Sequence, residues 1–101
     1  MAHEQSDLRS AVKASLARLQ EIAPGRSVEV RIPPFAAVQV VAGSTHRRGT
    51  PPATVETDAV TWLALADGSL SWAEATASGR VRASGERSDL SAYLPLEGTA
   101  R

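Results

Sequence analysis

The chain has 101 residues, 11 basic and 11 acidic side chains, and no cysteine. Of its 43% hydrophobic residues, 18 are alanine, and the larger core formers are nine Leu, nine Val, two Ile, two Trp and Phe35. That supports one domain burying roughly two-thirds of its unfolded surface. Balanced charge argues against disorder and gives no field for nucleic acid or anionic lipid, and the lack of cysteine removes disulfides and thiolate chemistry.

No run of about 18 apolar residues exists, so no integral membrane association is expected. The polar start, Met1 to Asp7, lacks the apolar stretch of a signal peptide. A cytoplasmic protein is therefore expected. Ten Arg against one Lys, with abundant Ala, fits a GC-rich bacterial genome.

Residues 1–5 read as a frayed tail and residues 6–23 as an N-terminal helix. Its apolar stripe is Leu8, Ala11, Val12, Leu16, Leu19, Ile22 and Ala23, at helical spacing. Ser6 or Asp7 can cap the start, and Pro24-Gly25 stops the helix. Val28, Val30 and Ile32 then alternate with Glu29 and Arg31, the period of a strand with one covered face. Pro33-Pro34 breaks it, since neither residue donates to a ladder. Residues 35–42 form a second strand, apolar on both faces except at Gln39, which predicts a central position.

Residues 43–53 have no periodicity and read as an exposed loop. Ala53 to Thr57 is a third strand. Asp58 caps a helix through Trp62, Leu63 and Ala66, with Gly68 at its C-terminus. Ser71-Trp72-Ala73-Glu74 matches a capping box, with Leu70 at the position of a hydrophobic staple. Gly79 ends that helix. Arg80 to Ser84 alternates again, Val81 and Ala83 pointing inward and Arg80 and Arg82 sharing the other side. Ser88 or Asp89 opens a last turn carrying Leu90, Tyr93 and Leu94, ended by Pro95. Residues 27–96 thus hold the sheet and short helices of a single domain spanning 1–101. The order α-β-β-β-α-α-β-α predicts an α+β layer fold with helices on one sheet face.

The segment Asp58 to Leu94 resembles the sterol-carrier-protein type-2-like family. The likeness rests on Gly68, Gly79 and Gly85, spaced by 11 and 6 residues, with Ser71-Trp72-Ala73-Glu74-Ala75 and Arg80-Val81-Arg82-Ala83-Ser84 between them. The stretches His46 to Pro52, Val55 to Asp58 and Ser84 to Leu90 are similar to a small actinobacterial sterol-carrier-like branch, which extends the likeness from about Val28 to Leu96. The resemblance implies a four- to five-stranded, mostly antiparallel sheet with helices packed on one face. In some members a lipid or fatty acyl chain lies between sheet and helices.

Few residues suggest catalysis. His3 and His46 are far apart in sequence, and no set of ligands has metal-binding spacing. The segment Ser84 to Asp89 holds hydroxyls and carboxylates but no histidine to activate a serine. No cofactor is expected, and the chain reads as a non-enzyme. His46, Arg47, Arg48 and Thr50 can hold a phosphate or carboxylate, although Pro51 and Pro52 remove the backbone amides a phosphate cradle uses. The plainer reading is a solvent-facing loop. The apolar set Phe35, Val38, Val40, Trp62, Leu63, Leu70, Trp72, Leu90, Tyr93 and Leu94 can wall a ligand cleft or simply be the core. The expected function is a small non-catalytic carrier of an apolar or amphipathic ligand, lipid or fatty acyl. The alternative is an interaction or accessory module without a lipid cavity, engaging a second copy or a protein partner.

Overall fold

A computed structural model describes residues 2–43, 53–85 and 87–96, with side chains from Gln5 onward. Helix α1 (Ala2–Ile22) is followed by strands β1 (Val28–Ile32), β2 (Ala36–Val40) and β3 (Ala53–Thr57). Helices α2 (Ala59–Asp67) and α3 (Trp72–Ala77), strand β4 (Val81–Ser84) and a 3-10 turn at Ser91–Tyr93 complete the order.

Helix α1 begins upstream of Ser6 and Asp7, so both lie inside the helix and residues 2–5 belong to it instead of to a tail. Its buried stripe is Val12, Ser15, Leu16 and Leu19, continued by Ala23 just past its end. Ala11, assigned to that stripe by spacing, is exposed, and Ser15 takes the inward place. Burying Val12, Leu16 and Leu19 contributes roughly 1.5–3 kcal/mol each. Tertiary burial thus carries a helix whose exposed surface is polar side chains and alanine. The exit from α1 is fixed by close backbone approach. Gly25 sits at φ 148°, where a Cβ would overlap the Val41 carbonyl. That carbonyl also accepts from the Ser27 amide at 3.0 Å and the Ser27 hydroxyl at 2.7 Å.

The sheet order is β2-β1-β3-β4. β1 pairs antiparallel with β2 and parallel with β3, and β3 pairs antiparallel with β4. Mostly antiparallel pairing is therefore correct, but the central placing of β2 is not: it is an outer strand. Alanine explains the difference. Ala36 and Ala37 make both faces look apolar, yet Ala37 is exposed, Ala36 half-buried, and only Val40 is buried. The central places go to β1 and β3, whose inward residues Val28, Val30, Ile32, Ala53, Val55 and Thr57 are all buried. In β4 only Val81 is buried; Ala83, expected inward, is exposed at the sheet's outer edge.

The opposite face is polar. The register aligns Ala37, Arg31, Glu56 and Arg82 in one row and Gln39, Glu29, Thr54 and Ser84 in the next. Arg31 lies 3.2 Å from Glu29, and Arg82 lies 3.7 Å from Glu56. Exposed pairs of this kind contribute about 0.2–1 kcal/mol each, so they set register and solubility more than stability. Arg80 precedes β4 and turns to α2, its Nη2 donating to Thr61 Oγ1 at 3.4 Å. It does not form one basic side with Arg82.

The expected helix signals operate locally. Asp58 caps α2 by accepting from the Thr61 amide at 2.7 Å, and Gly68 closes it in the left-handed conformation at φ 89°. Ser71 accepts from the Glu74 amide at 3.0 Å. Glu74 differs from the expected box: its carboxylate meets the Ser71 hydroxyl, at 3.3 Å.

Candidate functional site

The helices and the inner sheet face enclose one apolar layer, and the candidate ligand residues divide within it. Val40, Trp62 and Leu90 are fully buried in the continuous core. Phe35, Val38, Leu63, Leu70, Trp72, Tyr93 and Leu94 are half-buried and pack against that core. Phe35 and Val38 sit on and beside the outer strand β2. Leu63 and Trp72 come from α2 and α3, Leu70 from the turn between them, and Tyr93 and Leu94 from the segment after β4.

Chain connections gather this second group. The Leu70 amide donates to the Ala64 carbonyl of α2 at 3.2 Å. The Leu96 amide donates to the Ala66 carbonyl of the same helix at 2.9 Å. Pro95 lies so close to Gly68 that a Cβ there would stand 3.4 Å from the proline ring. The turn after α2 and the segment 94–96 therefore meet at the C-terminal end of that helix. Val60, on α2, is 65% exposed and adds an apolar side chain at the helix's other end.

The fixed centre of the layer is a polar relay. Trp62 Nε1 donates to Ser15 Oγ at 2.7 Å, and Ser15 Oγ donates to the Val12 carbonyl at 2.8 Å. All three residues are buried. An indole N–H in an apolar core needs an acceptor, and Ser15 supplies it across 47 residues of sequence. Apolar periodicity passes over a serine and so does not reveal Ser15. The usable signal in the sequence is the indole N–H of an inward tryptophan, which requires a partner somewhere. No buried side-chain nitrogen or oxygen among the described residues lacks a partner, so the described apolar layer offers no orphaned polar atom to a ligand head group.

Other features have local roles. Hydrogen bonds from the Ser69 hydroxyl and amide hold Asp67 below its ordinary value of 3.8. The Ser91 amide, then its hydroxyl, do the same for Asp89. Both carboxylates are surface turn formers. Among the described residues no group of three His, Asp or Glu is placed to hold a metal ion. No helix there is long and apolar enough to cross a membrane. The candidate anion residues His46, Arg47, Arg48 and Thr50 lie outside the described residues.

No curated protein matches the chain. The model of the family described as bacterial SCP ortholog matches residues 4–96. That span takes in α1 from Glu4 onward as well as the glycine framework from Gly68 to Gly85, and it covers every strand of the sheet. On this match, and with the helix-covered, mostly antiparallel sheet that goes with it, the chain belongs to the bacterial sterol-carrier-protein-like family.

Proposed function

We propose that the domain is a non-catalytic carrier that binds an apolar or amphipathic molecule, a lipid or fatty acyl chain, between its helices and its sheet. The observation carrying this reading is the half-buried apolar group at α2, α3 and the C-terminal segment. Leu63, Leu70, Trp72, Tyr93 and Leu94 each keep part of their surface in water while the rest packs on the core. Such a shell gains by covering with more apolar surface, at about 25 cal/mol per Å². Family membership supports the same reading.

Two tryptophans in different settings make the test specific. Trp62 is sealed and hydrogen-bonded, whereas Trp72 is half-buried at the start of α3. Titration with cis-parinaric acid should change Trp72 emission saturably, and a Trp72→Phe variant should lose most of that change while still binding. Native mass spectrometry of the freshly purified protein should show co-purified lipid. A protein carrying no lipid, with no saturable response, would refute the carrier reading.

A further inference from the structure

The last described residue, Leu96, is a buried leucine on an irregular segment. Its side chain is 4% exposed and belongs to the central core cluster. The residues before it are not so placed: Pro95 is exposed and Leu94 half-buried. The Leu94 amide closes its own 3-10 turn on Ser91, at 3.3 Å. Among the described residues, one backbone hydrogen bond, Leu96 N–H to Ala66 C=O at 2.9 Å, ties residues 94–96 to the helical layer. Pro95 also stands against Gly68, Leu94 packs half-buried on the core, and the leucine itself is inserted into it.

The contrast with the centre of the layer is physical. Trp62 is held within a helix, carries its own hydrogen bond and is fully buried. Withdrawing it would break α2. Among the described residues, withdrawing Leu96 breaks one backbone hydrogen bond and shifts an irregular stretch, the kind of element that opens locally at low cost. A branched aliphatic side chain at that place has the chemistry of a short stretch of acyl chain.

Resting on the carrier reading above, we infer that Leu96 is an internal plug: it fills space in the apolar layer that an acyl ligand takes over, and the ligand enters as the segment 94–96 swings away from Ala66. The plug keeps the unliganded layer dry and sets the ligand's affinity, because binding must expose one leucine side chain.

The test uses the full chain and cis-parinaric acid. Amide hydrogen exchange is measured with and without saturating probe. The Leu96 amide should lose its protection on binding, while the amides of β1 and β3 keep theirs. In parallel, Leu96→Ala should bind the probe on the order of tenfold to a hundredfold more tightly, as expected when one large side chain no longer has to be displaced. If the wild-type protein binds the probe with Leu96 protection unchanged, the plug is overturned and the carrier reading stands. The plug is overturned in the same way if Leu96→Ala folds and binds no more tightly. If neither protein binds, both ideas fall. Should Leu96→Ala not fold, the exchange measurement on the wild-type protein decides alone.

Discussion

Replacing Ser15 with alanine tests whether the Trp62–Ser15–Val12 relay holds the layer together. Two effects oppose each other. Alanine is the better helix former, worth roughly 0.5 kcal/mol at an interior position of α1. Against this, the Trp62 indole N–H, now 2.7 Å from Ser15 Oγ and fully buried, is left without an acceptor. An unsatisfied buried donor costs about 1–3 kcal/mol. The orphaned indole outweighs the gain in helix propensity, so Ser15→Ala should destabilise by about 0.5–2.5 kcal/mol. For a domain of this size each kcal/mol shifts Tm by about 4–8 °C. Urea unfolding followed by far-UV circular dichroism measures the change. A double-mutant cycle isolates its cause. In a Trp62→Phe background there is no indole N–H to orphan, and Ser15→Ala should become neutral or stabilising by up to roughly 0.5 kcal/mol. If Ser15→Ala stabilises the wild-type protein, or costs the same in both backgrounds, the relay is not what the buried serine is for.

The glycines should separate by what surrounds them. Gly25→Ala puts a Cβ into the Val41 carbonyl and should cost about 3 kcal/mol or more, a large share of the roughly 5–15 kcal/mol that holds a native domain. At Gly79, φ is 81° but nothing lies within 4 Å of the new methyl, so Gly79→Ala should cost only about 1–2 kcal/mol; equal losses in thermal melts would contradict this. The acid side of the stability curve should reflect Asp67 and Asp89. Each is held below 3.8 by serine donors, so its contribution is present above that pH and disappears as pH falls through the lowered folded value. Asp67→Asn with Asp89→Asn should flatten the decline in stability below about pH 3.8, and an unchanged slope in urea melts at successive pH values would rule the pair out as a source.

Most of the architecture can be read from local signals because they agree with the fold. Glu29 and Arg31 alternate with Val28, Val30 and Ile32, and the pattern alone identifies β1. Asp58 and Gly68 bracket α2 with a cap and a left-handed stop that need no tertiary help. Reading fails where side chains carry little information. Ala11, Ala36, Ala37 and Ala83 fit either face of their elements, since burying or exposing one methyl changes little. Hence β2 looks central in the sequence, and Ala83 looks inward. The candidate site is legible as a set of residues but not as an arrangement. The sequence does not distinguish the sealed Trp62 from the half-open Trp72. The difference is a serine acceptor 47 positions away in one case and a position at the start of a short helix in the other.

The parallel pairing of β1 with β3 divides the chain more sharply than its continuous core suggests. Residues up to Gly43 form a contiguous α-β-β piece, and residues from Ala53 form a contiguous β-α-α-β piece. The strands meet along one seam, where Val28 faces Ala53 and Val30 faces Val55. Above it, Ser15 of the first piece receives the indole N–H of the second. Helix α1 of the first piece also packs against α2 of the second across the same junction. During folding the hairpin of β1 and β2 can form early from neighbouring residues. The seam has to await the return of β3, with partners 25 positions apart (53 minus 28). Closing such a loop is entropically costly before the contacts form. Cooperative folding of the whole is therefore set at this junction: the chain behaves as two halves that complete one another.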